Sequence, residues 1–146
     1  MSYEHHLRAE GGIELFLLAS GAGAGHVAFN PPGAARDRRT RIVEVPDSTR
    51  RDNRVTFPSF DGALDRVPRH GVTVGIATIR ELSNEVIMLL QGRDKQEAAR
   101  RLLAADSYDP TWPATVVAEC RQAHLYLDLL AVPTHEPADP PIRKEC

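Results

Sequence analysis

Cysteine is nearly absent from this chain: Cys120 and Cys146 are the only two, and no Cys-x-x-Cys pair occurs. Two such residues cannot staple a small secreted fold, and without a paired-thiol motif there is no sign of a redox or zinc centre. Long apolar runs are missing as well. No stretch approaches the roughly 20 residues that cross a bilayer, and the first residues contain no apolar targeting segment. These absences lead to the expectation of a cytoplasmic protein away from membranes. Charge of one sign is also lacking. A formal net charge of −2 and a pI near 6.3 provide no global attraction to nucleic acid or to anionic lipid.

A hydrophobic share of 42% with 26% charged residues fits a folded globular chain and argues against a disordered one. At 146 residues the length suits one domain. Residues 1–132 are expected to form it, and 133–146, with prolines at 133, 137, 140 and 141, to form an irregular tail. Charge is locally uneven. Between residues 36 and 54 stand seven arginines and four acids. The stretch reads as a solvated or salt-bridged face, or as a site for a small anion whose phosphate matches guanidinium geometry. Nucleic acid ranks third, because aromatic residues do not interleave the run.

Apolar patterning outlines an α/β fold. Residues 13–18 (Ile-Glu-Leu-Phe-Leu-Leu) and 85–90 (Glu-Val-Ile-Met-Leu-Leu) read as mostly buried strands, too short for amphipathic helices. Shorter strands are expected at 42–45, 72–76 and 125–127. Helices are expected at 3–9, after Ser48 or Thr49, around 79–84, from Asp94 to about Ala105 and from Pro113 to about Arg121. This order predicts a truncated Rossmann-like, largely parallel sheet with covering helices. Ligands of such sheets approach the C-terminal ends of the strands, which draws attention to the glycine-rich loop after Leu18.

That loop reads Leu17-Leu18-Ala19-Ser20-Gly21-Ala22-Gly23-Ala24-Gly25-His26-Val27-Ala28-Phe29-Asn30-Pro31-Pro32-Gly33. It resembles the signature of the glucosamine-6-phosphate deaminase/isomerase family, approximately G-G-I-G-x-D-G-H-I-A-F-N-E-P-G. Further stretches match in order: Arg39-Thr40-Arg41-Ile42, Asp47-Ser48-Thr49-Arg50, Asn53, Thr73-Val74-Gly75-Ile76-Ala77-Thr78, Gly92-Arg93-Asp94-Lys95 and Leu125-Tyr126-Leu127-Asp128. The similarity runs to about Ala131 and covers the later part of the family domain only.

The resemblance implies several roles. His26 is the candidate catalytic group, matching the histidine associated with sugar-ring opening. Gly21, Gly23, Gly25, Asn30, Arg54 and Lys95 are candidate substrate contacts. Lys95 matches a phosphate-contacting lysine, whereas Arg54 lies one residue out of register with a phosphate-binding arginine. Arg41 resembles an effector-site arginine. Two family carboxylates fall on Ala24 and Pro31, which cannot titrate, and the family's proton-shuttling aspartate lies in a region this chain does not match. No cofactor is implied. His5, His6, His124 and His135 form no closed metal-ligand set with Asp128 or Glu136.

The expected ligand is a phosphorylated sugar or small polyol. The expected protein partner is either a second copy or a different subunit supplying the missing strands. Three functions stay open: a diverged sugar-phosphate isomerase/deaminase-like enzyme, a hydrolase of lactones or other sugar derivatives, and a non-catalytic binding subunit.

Overall fold

The computed structural model describes residues 3–20, 23 and 25–133. After a short helix α1 (Tyr3–Ala9), the apolar run forms strand β1 (Ile13–Ala19). β1 pairs in parallel with β4 (Ser83–Leu90), and β4 with β5 (Ala123–Leu127), giving the sheet order β1-β4-β5. Between them, β2 (Arg41–Glu44) and β3 (His70–Thr73) pair antiparallel as a separate two-stranded ribbon, with helix α2 (Asp47–Thr56) in the connection. Helix α3 (Ile76–Leu82) runs directly into β4, and α4 (Gln96–Leu103) links β4 towards β5. A 3-10 helix, Pro113–Glu119, precedes β5. The α/β class and the parallel main sheet agree with the apolar patterning.

Parallel register puts paired residues on the same face. Phe16 and Leu18 of β1 share a face with Val86, Met88 and Leu90 of β4 and with Leu125 and Leu127 of β5. This face packs into the core with Ile76 and Ile79 of α3, Ala98, Ala99 and Leu102 of α4, and Val116 of the 3-10 helix. The spacing 98, 99, 102 explains why α4 presents a narrow apolar stripe to the sheet.

The opposite face is open. Leu15 is 46% exposed, Leu17 60%, Leu89 48% and Tyr126 57%. β1 is therefore a strand, as expected, but not a mostly buried one: Leu18 alone of its seven residues is buried. A run this rich in apolar residues signals a strand with two sides to cover, and among the described residues the three covering helical elements lie on one side.

Local details differ from the expectations. α2 begins after Pro46 without a side-chain cap from Ser48 or Thr49. Asp94 lies in a one-turn 3-10 helix (Arg93–Lys95) rather than capping α4. α3 starts at Ile76, and the segment opened by Pro113 is 3-10 and ends at Glu119. Residues 58–60 and 64–66 form 3-10 turns in the connection between α2 and β3. The proline-rich stretch lies, after Pro133, outside the described residues, as does His135. No helix among the described residues is long and apolar enough to cross a membrane.

Candidate functional site

At the C-terminal end of β1 the chain folds back on itself. Ser20 bridges to Val27, and Val27 to Asn30. Three attachments hold this loop. Gly25, in the left-handed region at φ +58°, accepts a hydrogen bond from the Ala114 amide at 2.8 Å and lies against the Trp112 ring. The Phe29 amide donates to Thr73 Oγ1 at 3.1 Å. The Gly33 amide donates to the Pro110 carbonyl at 2.7 Å.

Asn30 is fully buried. Its Nδ2 donates to the Val27 and Val74 carbonyls at 3.1 and 2.8 Å, and its Oδ1 accepts from Arg41 Nη1 at 3.0 Å. Both amide protons and the carbonyl oxygen are thus committed to tying the loop to itself, to the segment before α3 and to β2. Arg41 is engaged in the same knot, and burial followed by the nearby Arg38 lowers its pKa.

These attachments leave a cleft of about 890 Å³ beside the ends of the strands. His26, Gly23 and Ser20 line it from the loop, Ser48, Thr49 and Asp52 from α2, and Asp94 and Lys95 from the turn after β4. A smaller cavity of about 240 Å³ shares His26, Ser48 and Thr49 and includes Pro31 in its wall. His26 is half-buried and borders both cavities. Burial, and then the Lys95 charge, lower its pKa, while Asp52 opposes them. The imidazole is accordingly neutral at pH 7, able to accept a proton.

Lys95 reaches the cleft in an ion pair with Asp94 at 3.0 Å. The turn beneath it is internally bonded: the Gly92 amide donates to both oxygens of Asp128 at 3.1 Å, and the Lys95 amide to the Gly92 carbonyl at 3.0 Å. These two backbone donors are consumed, so an anion here would rely on the Lys95 side chain, in competition with Asp94.

His26, Gly23 and Lys95 thus meet in one cleft, from two motifs distant in sequence. Gly25 and Asn30 lie behind it, building the loop. Arg54 is exposed near the end of α2 and does not line the cleft. Gly21 and Ala24 fall outside the described residues. Missed as cleft residues were Ser48, Thr49 and Asp52; the signal available was their spacing, since Ser48 and Asp52 are four apart and share one face of α2.

Comparison with known proteins fits this geometry. A glucosamine-6-phosphate deaminase of Beutenbergia cavernae is 39% identical over 132 residues, covering 90% of this chain and 47% of that protein. One from Mycolicibacterium smegmatis is 40% identical over 129 residues, covering 88% and 46%. The chain is homologous to glucosamine-6-phosphate deaminases. It spans about half the length of the curated relatives it matches. A solved monomeric glucosamine-6-phosphate deaminase superposes with a TM-score of 0.76 at 32% identity, over 88% of this chain and 51% of that one. The 6-phosphogluconolactonase of Trypanosoma brucei, at 20% identity and a TM-score of 0.59, shares the fold. No protein-family model matches the chain. The homology to deaminases accounts for the glycine-rich loop.

Proposed function

We propose that this chain contributes part of a sugar-phosphate site of the deaminase/isomerase kind, completed by a further α/β segment seated on the open sheet face. His26 serves as the proton carrier and Lys95 as the phosphate contact. The observation that carries this reading is the convergence of His26 and Lys95, each at its matching motif position, on a single cleft at the strand ends. The reading is of a cytoplasmic small-molecule enzyme or enzyme subunit. The completing segment supplies the uncovered side of the sheet, since parallel sheets are ordinarily covered on both faces.

The ligand can be tested directly. Titration calorimetry with glucosamine 6-phosphate should give an affinity that Lys95→Ala weakens roughly tenfold or more, the scale of one charge-assisted hydrogen bond. Equal affinity in the two proteins would remove Lys95 from the site.

Positions 24 and 31 hold alanine and proline in place of the family carboxylates, which favours a second reading in which the chain binds sugar phosphate without turning it over. The purified chain alone should release ammonia from glucosamine 6-phosphate weakly or not at all. Robust release by the isolated chain would sink both the binding-only reading and the need for a completing segment. Lactone hydrolysis, the remaining alternative, rests on likeness of fold alone and is assayed in the same way with a phosphogluconolactone.

A further inference from the structure

The cleft contains three charged side chains, Asp52, Asp94 and Lys95, and they are not equivalent. Asp94 is committed to Lys95 at 3.0 Å. On α2, Asp47 is likewise committed, to Arg50 at 2.9 Å. Asp52 lines the same cleft as His26, from α2 rather than from the loop, one helical turn after Ser48.

We propose that Asp52 is the carboxylate partner of His26, a positioning residue that holds the imidazole as a reversible proton carrier. This inference rests on the reading of His26 as the proton carrier of the site.

The two positions that flank His26 in the loop and bear carboxylates in the resembled signature cannot supply charge here, being Ala24 and Pro31. A histidine that is half-buried and close to a lysine is driven towards permanent neutrality. Burial lowers the His26 pKa most, Lys95 lowers it further, and Asp52 is the group that raises it. A proton carrier must gain its proton as well as lose it, so a negative charge in the same cleft offsets part of what burial removes. Asp52 reaches this place from a helix rather than from the loop. Its backbone carbonyl is bonded to Thr56 Oγ1 at 3.0 Å, and its exposed side chain is not needed to hold α2 together.

The test follows the His26 ring proton by NMR as pH is varied, with His26→Gln identifying the resonance among the six histidines. In the wild type it should titrate below 6.5. Asp52→Asn should lower the midpoint further by about half a pH unit at low salt, and Asp52→Glu should keep it near the wild-type value. Raising salt to about 0.5 M should shrink the difference between wild type and Asp52→Asn, as screening requires for an exposed carboxylate. Glu97→Gln, on the exposed side of α4, should leave the midpoint unchanged. An unchanged midpoint in Asp52→Asn would overturn the proposal, and so would a change of equal size in Glu97→Gln. Because the readout needs neither ligand nor turnover, it separates the two ideas. A shifted midpoint in a protein that binds no sugar phosphate would support the Asp52–His26 pairing while overturning the assigned function.

Discussion

Gly25→Ala should lose about 2–4 kcal/mol of stability and displace His26 from the cleft. Two costs combine at this position. The backbone lies at φ +58°, where a side chain is disfavoured, and a Cβ would fall 2.2 Å from Cδ2 of Trp112. The ring has little room to withdraw, because Trp112 is buried within the main core cluster and the Ala114 amide two residues on is bonded to the Gly25 carbonyl. Urea unfolding measures the loss. Trp112 is the sole tryptophan, so its fluorescence reports the loop contact directly. Gly33→Ala is the control: its φ is also positive, at +88°, but no atom lies within 4 Å of the added methyl, and about 1 kcal/mol should be lost. Equal urea midpoints and unaltered emission for Gly25→Ala would show that the Trp112 packing does not support the loop.

Leu17→Lys and Leu89→Lys should abolish association through the open sheet face while leaving the isolated chain folded. Leu17 projects from β1 beside Ile87, and Leu89 pairs across β4 and β5 with Tyr126, on the face opposite the core. Burying one such leucine contributes about 1.5–3 kcal/mol, and a lysine in its place adds the penalty of an unpaired charge. Each variant should therefore weaken assembly by at least about a hundredfold. Sedimentation at low micromolar concentration, alone and with a candidate completing subunit, distinguishes a self-complementary assembly from a mixed one. A folded wild-type monomer under both conditions, binding little apolar dye, would refute the association.

Strand positions were legible because Ile, Val, Leu and Phe cluster in short runs, and β1, β4 and β5 fall where those runs are. Which side of β1 is covered was not legible, since a run this rich in apolar residues has no period of two to assign a face. His26 and Lys95 could be located because each lies in a motif whose spacing constrains it. Asp52 could not. Its helix, Asp-Ser-Thr-Arg-Arg-Asp-Asn-Arg-Val-Thr, offers no apolar stripe to orient it, and its facing depends on how the connection between β2 and β3 lies against the loop. Asn30 was legible as a motif residue, but its hydrogen bonds to the Val27 and Val74 carbonyls and from Arg41 depend on segments up to 44 residues away. Glu4 illustrates a further limit. Burial acts to raise its pKa, but hydrogen bonds from the Thr40 amide and hydroxyl and from the Thr78 hydroxyl prevail and hold it at about 2. Those partners lie 36 and 74 residues away, beyond any local pattern.

β1 belongs to two environments at once. Its side chains at 15 and 17 form the open face, and its final residues lead into the loop that carries His26. A protein that docks on this face and a ligand that needs the loop ordered therefore act on the same strand. Their binding equilibria are linked: whatever factor the docked protein adds to ligand affinity, the ligand must return to docking. Saturating ligand would then tighten the assembly, and an assembly driven by concentration would sharpen the ligand's binding curve, with Leu17 both exposed on the open face and lining the cleft.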